Sequence, residues 1–419
     1  MHDASPLSAT PTPLPSLRSL PSHRPDPARR PLPARRPTAS GAASTGPAPV
    51  SGTVLVLSAS VGAGHDGASR ELARRLTARG ARVEVRDYLD ALPSRSRWMV
   101  KDLYAPVVQY APSLFEGIFQ GLEGDGPVRR ASDAVCRQAE DGVAAWAEGA
   151  DLVVSTYPLA GQTVGELRRQ GRLDVPTITY LTDPAAHATW VHPEVDHHLT
   201  VTTATALDAE RYGVRAVACG PLSAPAGGGG RSRARVRLEL GLPGTAPVVL
   251  ISAGSLGMGD VRRSVDDLLL DPHVHVVVLC GRNERLRRRL SRWSRVVALG
   301  WRDDVGALMG AADVLVHNAG GLSLTEALAA GLPAITYRPI AGHGRASAQV
   351  LEDAGIAPWP RTELELGAAV RDVVSTGSRV PAGGEHWPRG ADPAGVVAQV
   401  LADRPVLALA RGRRWRSPR

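Results

Sequence analysis

Short apolar runs, each followed by a stretch whose apolar residues fall at helical spacing, recur through this 419-residue chain and leave little choice of architecture. Thr53–Ala59, Arg82–Arg86, Asp151–Thr156, Val175–Leu181, Asp196–Val201 and Val214–Cys219 read as strands. They alternate with helical segments such as Ser69–Gly80 and Gly161–Gly171. Near-continuous apolar strands separated by helices form parallel sheets covered on both faces. After Pro221, Pro225 and the run Gly227–Gly230 the rhythm restarts. The second set of strands is Pro247–Ala253, Val274–Cys280, Arg295–Leu299, Asp313–His317 and Pro333–Tyr337, with helices over 259–270, 283–292, 303–311, 321–331 and 345–354. The expected fold is α/β: two Rossmann-like, doubly wound parallel-sheet domains facing a cleft, with ligands at the carboxyl ends of both sheets. The expected division is a disordered Pro- and Arg-rich tail over 1–50, a first domain over 51–222, a Gly-rich linker over 223–232, a second domain over 233–405 and a basic tail over 406–419.

Charge sharpens this division. Of the net +8, residues 1–50 supply +4 and residues 411–419 supply +5, which leaves 51–410 at −1. The folded part is nearly neutral, so no nucleic-acid partner is expected. Basic tails attract an anionic membrane face by roughly 1 kcal/mol per residue near the surface. They are equally the solvated ends of an Arg-rich chain in which Lys101 is the only lysine. Residues 1–50 lack the apolar periodicity that would offset ordering entropy. Their Arg-rich character matches a transit peptide in outline, but the proline density opposes an amphipathic helix. No apolar run approaches the ~18 residues of a membrane span, and no secretory signal pattern opens the chain. Cys136, Cys219 and Cys280 are widely spaced and odd in number, which suits a reducing, cytoplasmic compartment.

Two glycine-rich turns carry the candidate chemistry. In the first, the strand Asp313–His317 meets Gly320-Gly321, which lets the chain turn directly into a helix whose free N–H groups make an anion site. Ser323 can add a hydroxyl donor. Glu326 lies one turn in, where it either reaches past bound phosphates to the hydroxyls of a ribose or serves as a first-turn acid favoured by the helix dipole. The second turn, Gly62-Ala63-Gly64-His65-Asp66-Gly67, matches G-x-G-x-x-G after a strand, with Asp87 twenty residues past its last glycine. That is the pattern of a dinucleotide site and keeps an NAD-linked oxidoreductase in view. Against it, His65 would crowd a pyrophosphate, and the turn at 320–326 is the better phosphate socket. A histidine at this position can instead take a proton from an alcohol as it attacks a sugar carbon.

Other features leave two readings each. The chain has only 8 Trp, 7 Tyr and 2 Phe, yet Trp98, Tyr104, Tyr110, Phe115 and Phe119 crowd into one segment broken by Pro106 and Pro112. This is either a lipid-contacting surface or a satellite cluster under a loop. The Arg-rich helix after Cys280 is either a solvated face or a membrane-facing one.

Four segments carry a family resemblance: SASVGAGHDGAS (58–69), TDPAAHATWVHPEVD (182–196), ACGPL (218–222) followed by SAGSLGMGD (252–260), and the run 300–333 from GWRDDV to AAGLP. In this order the chain from about 53 to 355 resembles the GT-B glycosyltransferases of family 28, most closely the monogalactosyldiacylglycerol synthase-like branch. The resemblance implies transfer of a hexose from a UDP-sugar donor to a diacylglycerol-like lipid hydroxyl, with inversion, by a peripheral protein at the inner, anionic face of the membrane. No metal or other cofactor is implied. By position His65 resembles the catalytic base, Gly254 and Ser255 the glycine-rich loop near the nucleotide, Gly320, Gly321 and Ser323 the diphosphate loop, and Glu326 the ribose-binding glutamate. Asp183, His187, Trp190 and His192 fall in the segment that lines the acceptor side; taken alone, Asp183, His187 and His192 also have a metal-ligand spacing, with no fourth ligand evident. Where relatives have Gly-Gln-Glu and a later Asn in the sugar loop, this chain has Gly342-His343-Gly344 and Ser347, so His343 and Arg345 are the candidates for donor-sugar contact. Alternatives are a nucleotide-sugar epimerase, an NAD-linked oxidoreductase or a catalytically idle membrane-associated binding protein.

Overall fold

The structure, a computed structural model, describes residues 50–223, 231–318, 320–377, 386–388, 390 and 392–403. The tail expected over 1–50 except Val50, the tail expected over 406–419, and residues 224–230 of the linker expected over 223–232 lie outside these residues.

The first half runs β1 (Thr53–Ser58), α1 (Ala63–Thr77), β2 (Arg82–Asp87), α2 (Ser94–Asp102), α3 (Tyr104–Tyr110), α4 (Pro112–Gly121), α5 (Pro127–Ala147), β3 (Leu152–Ser155), α6 (Pro158–Arg169), β4 (Thr177–Leu181), β5 (His197–Thr200), α7 (Thr203–Ala209) and β6 (Ala216–Ala218). Its six strands form one parallel sheet in the order β2-β1-β3-β4-β5-β6. The alternation of side chains along β1 divides its core into two layers. Val54 and Val56 pack with Leu72 and Leu76 of α1, while Leu55 and Leu57 pack with Val143 of α5 and Leu167 of α6. Each such buried side chain contributes about 1.5–3 kcal/mol of transfer free energy.

The second half runs α8 (Arg233–Glu239), β7 (Val248–Ser252), α9 (Val261–Leu268), β8 (His275–Leu279), α10 (Glu284–Leu290), β9 (Val296–Leu299), α11 (Val305–Ala311), β10 (Val314–His317), α12 (Gly321–Ala329), β11 (Ala334–Thr336), α13 (His343–Asp353), α14 (Glu363–Thr376) and α15 (Pro393–Ala402). Five strands form a second parallel sheet, β11-β10-β7-β8-β9. It is covered on one face by Leu324 and Leu328 of α12 and on the other by Val265 of α9 and Val370 of α14.

Two local differences from the sequence expectation, and one feature that agrees with it, have physical reasons. The turn at 62–67 is mostly helix: Gly62 is the N-cap and His65 lies in the first turn of α1. Gly67 is inside that helix because α12 crosses there; a Cβ on it would sit 2.5 Å from Leu322 Cδ2. The aromatic segment forms three consecutive helices, with Pro112 at the first turn of α4, where its missing N–H costs nothing. Finally α15, expected with the second domain over 233–405, packs on the first sheet. Val397, Ala398 and Leu401 join the cluster of Val54 and Leu72, and Asp392 both caps α15 and bonds Arg75 of α1 and Arg79 just beyond its end.

Candidate functional site

In each sheet the chain reverses its winding once. In the first this happens between β1 and β3; in the second, between β7 and β10. Ligands of doubly wound sheets bind outside the strand ends at such points. Here both points open into one cleft of about 860 Å³, lined among others by His65, Tyr104, Asp183, Gly254, Ser255, Trp301, Gly320, Gly321, Ser323, Glu326 and His343.

On the first-sheet side, β1 delivers α1 and β3 delivers Thr156. The Nδ1 of His65 lies 2.8 Å from the carbonyl oxygen of Thr156 and 3.2 Å from Thr182 Oγ1. A carbonyl can only accept, so Nδ1 carries a proton, and in the neutral ring Nε2 is the nitrogen with the lone pair. Tyr157 stands edge-on to the ring at 5.2 Å and Trp190 lies tilted at 5.9 Å, fixing its orientation. The Trp190 indole in turn donates to Asp183 Oδ2 at 3.0 Å.

The acceptor-side candidates therefore separate. Asp183 lines the cleft, and Trp190, only 2% exposed, stands behind it and behind His65. His187 is buried among Thr189, the Phe119 carbonyl and Glu123, and burial lowers its pKa. His192 is packed on α6, where a Cβ on Gly165 would fall 2.2 Å from its ring, and it does not line the cleft. Among the described residues no group of three or more His, Cys, Asp or Glu side chains is placed to hold a metal ion.

On the second-sheet side, Gly254 (φ +67°) turns the chain out of β7, and Ser255 Oγ accepts from the Ala63 N–H at 3.3 Å. That bond takes the Ala63 N–H, and Leu322 packs on Gly67, so part of the start of α1 is already occupied. The other helix start is open. Gly320 (φ +78°) and Gly321 (φ +62°) turn β10 into α12, and Ser323 Oγ is bonded at 2.8 Å to Ser252 Oγ, tying α12 to the end of β7.

Sequence reasoning passed over His317. This buried ring accepts from the Gly320 N–H through Nδ1 at 3.0 Å, and its Nε2 lies 3.2 Å from Thr336 Oγ1. Burial pulls its pKa down to about 4, so it is neutral and braces the turn without charge. The Gly320 N–H is thereby taken, and the unbonded donors at this helix start are those of Gly321, Leu322 and Ser323. One turn on, Glu326 is raised to about 7 by burial, with no cationic or hydrogen-bonding partner for its carboxyl among the described residues. A carboxyl poised in this way against an open cleft suits a ligand that brings its own hydroxyl donors.

His343 opens α13 rather than lying in a loop before it. Burial lowers its pKa, Phe115 meets it edge-on at 5.9 Å, and Tyr104 Oη lies 3.4 Å from its Nε2. Arg345, more exposed, is 3.4 Å from Glu116. The aromatic segment divides between an inward and an exposed set. Tyr104, Phe115 and Phe119 turn inward to His343 and His187, while Trp98 and Tyr110 stay 55% and 82% exposed.

Two parallel-sheet domains with one cleft at both reversal points define the GT-B architecture. Acinetobacter baumannii MurG superposes with a TM-score of 0.52 at 16% identity, covering 85% of this chain and all of that one. Anabaena HepE, solved in complex with UDP-glucose, gives 0.50 at 16% identity, covering 86% of this chain and 99% of that one. In sequence, residues 65–220 match the family described as monogalactosyldiacylglycerol (MGDG) synthase, and residues 256–374 match the glycosyl transferases group 1. The processive diacylglycerol β-glucosyltransferases of Bacillus pumilus and Bacillus subtilis are 30% and 29% identical over 216 residues, which is 49% of this chain and 56% of each relative. The aligned region thus spans a little over half the length of these relatives. By fold the chain is a GT-B protein, and its two halves are similar in turn to the MGDG synthase family and to the glycosyl transferases group 1.

Proposed function

We propose that the protein transfers a hexose from a UDP-sugar to the hydroxyl of a diacylglycerol-like lipid. The observation that carries this reading is the opposition, across one cleft, of a histidine with its Nε2 free and a helix start with open N–H groups. The lipid acceptor is supported by the similarity to diacylglycerol glucosyltransferases.

In this reading the second domain, 233–405 without the returning helix α15, holds the donor. The N–H groups of Gly321–Ser323 and the Ser323 hydroxyl receive the diphosphate, Gly254 and Ser255 border it, and Glu326 accepts from the ribose hydroxyls. The first domain, 51–222, presents the acceptor beside Asp183. The acceptor oxygen attacks the anomeric carbon from the face opposite the diphosphate while His65 Nε2 takes its proton. The bond from carbon to the diphosphate oxygen breaks, its electron pair leaves with UDP, and the configuration inverts. The helix start faces the charge that develops on the leaving group, so the reading requires no metal or other cofactor.

The protein works, in the same reading, as a peripheral protein at the inner membrane face. Among the described residues no helix is long and apolar enough to cross a membrane. Tyr110 at the end of α3, Leu114 and Ile118 on α4, and Trp98 and Met99 on α2 are exposed apolar side chains that suit contact with lipid. The exposed Arg95 on α2 adds positive charge that suits anionic lipid. The test is incubation with UDP-glucose or UDP-galactose and diacylglycerol in anionic vesicles, with products read by mass spectrometry. A glycosylated lipid formed only with both substrates is expected; UDP release without glycolipid, or no binding of UDP, overturns the reading.

A further inference from the structure

The turn that opens α13 is held from the opposite domain. Glu116 of α4 accepts from the Gly342 N–H at 2.9 Å and lies 3.4 Å from Arg345 Nη1. Gln109 of α3 accepts from the Gly259 N–H at 2.9 Å, a second tie between the same helical pair and the second domain. Gly342 has φ +66°, and a Cβ there would fall 2.8 Å from Phe115 Cε1 and 3.0 Å from Phe119 Cβ, so the turn is pressed against α4 with no slack. From this turn His343 projects into the cleft, where Tyr104 of α3 lies loosely stacked on it at 6.3 Å between centroids.

Glu116 therefore occupies the Gly342 N–H and engages Arg345. Of the polar groups around the turn, those that line the cleft are the His343 imidazole and the Tyr104 hydroxyl, one from each domain. Each can exchange a hydrogen bond with a sugar hydroxyl, and each presents a flat face to the C–H face of a pyranose. We propose that the donor hexose is selected jointly by the two domains: Tyr104 and His343 contact the sugar, and Glu116 is a positioning residue that fixes the Gly342–Arg345 turn. This rests on the reading of the cleft as a UDP-sugar site.

Calorimetry with UDP, UDP-glucose, UDP-galactose and UDP-N-acetylglucosamine tests it on the full chain and on Tyr104→Phe, Glu116→Gln and Glu116→Asp. UDP affinity stays within about twofold in every variant, because the diphosphate and ribose contacts lie elsewhere in the cleft. The affinity ratio of the preferred UDP-sugar to UDP falls about fivefold or more in Tyr104→Phe and Glu116→Gln, and Glu116→Asp restores part of it. Wild-type ratios in both Tyr104→Phe and Glu116→Gln overturn the inference alone. A change in Tyr104→Phe only overturns the positioning role of Glu116. Failure of the wild-type protein to bind UDP overturns the reading of the cleft and this inference with it.

Discussion

The imidazole Nδ1 of His65 sits 2.8 Å from the backbone carbonyl of Thr156, a residue carried by a different strand of the same sheet. The sheet, rather than a neighbouring acid, sets the tautomer of the one imidazole that faces the acceptor side of the cleft. The bond that orients this base comes from the backbone of Thr156, not from its side chain. Replacing His65 by Ala should therefore remove turnover, by a factor on the order of 10²–10⁴ as for loss of a general base. UDP affinity should stay within about twofold. Steady-state rates with calorimetry check this, and full activity in the variant would sink the assignment.

Glu326 gives a pH signature. Its carboxyl, raised to about 7 by burial, is substantially protonated below neutrality and binds ribose hydroxyls best as a carboxylate. UDP affinity should rise as pH goes from 6 to 8, and Glu326→Gln should flatten that profile while weakening binding about tenfold at pH 8. A pH-independent wild-type affinity would count against the ribose role.

Gly281 packs against the Gly254–Ser255 turn proposed to border the nucleotide. It has φ +56°, and a Cβ there would stand 2.4 Å from the Ser255 carbonyl oxygen and 2.6 Å from that of Gly254, both backbone atoms. Gly281→Ala should cost about 1–3 kcal/mol of stability and weaken UDP binding, since the turn must shift to make room. Urea unfolding beside calorimetry separates the two effects; unchanged values for both would contradict the packing.

Acid should loosen the protein before its carboxylates are neutralised. His317 and His198 are buried and neutral, each with its pKa lowered to about 4 from the ordinary 6.5. Between pH 6.5 and 4 the unfolded chain binds protons that the folded chain does not, so stability falls as pH drops through that window. Each such histidine adds about 1.4 kcal/mol per pH unit to the slope. Denaturant midpoints at pH 7.5, 5.5 and 4.5 report it, and an Asn at 317 should reduce the slope.

Most strands were legible because a buried parallel strand announces itself as an unbroken apolar run, as at Val248–Ser252 and Val314–His317. The helix start at Gly320–Gly321 was legible for the same reason that it is open: two adjacent glycines at positive φ. What sequence could not supply was anything that depends on which element crosses which. His317 looked like the last residue of a strand, and its bracing of Gly320 follows from a side chain folding back on its own turn. Glu116 lay in a segment broken by prolines, with no local pattern linking it to a glycine more than two hundred residues away. His192 had the spacing of a cleft residue, but the turn after Trp190 carries it to α6, where only a glycine leaves it room.

The return of α15 makes the chain close like a buckle. A truncation before Asp392 resembles the trimming of a ragged end from the second domain. It would in fact lift Val397, Ala398 and Leu401 off the first sheet, uncover Leu72 and Leu76, and leave Arg75 and Arg79 without their shared carboxylate. Because α1 also presents His65, the last described helix of the chain roofs the element that carries the proposed base, and cutting at one end would be felt at the other.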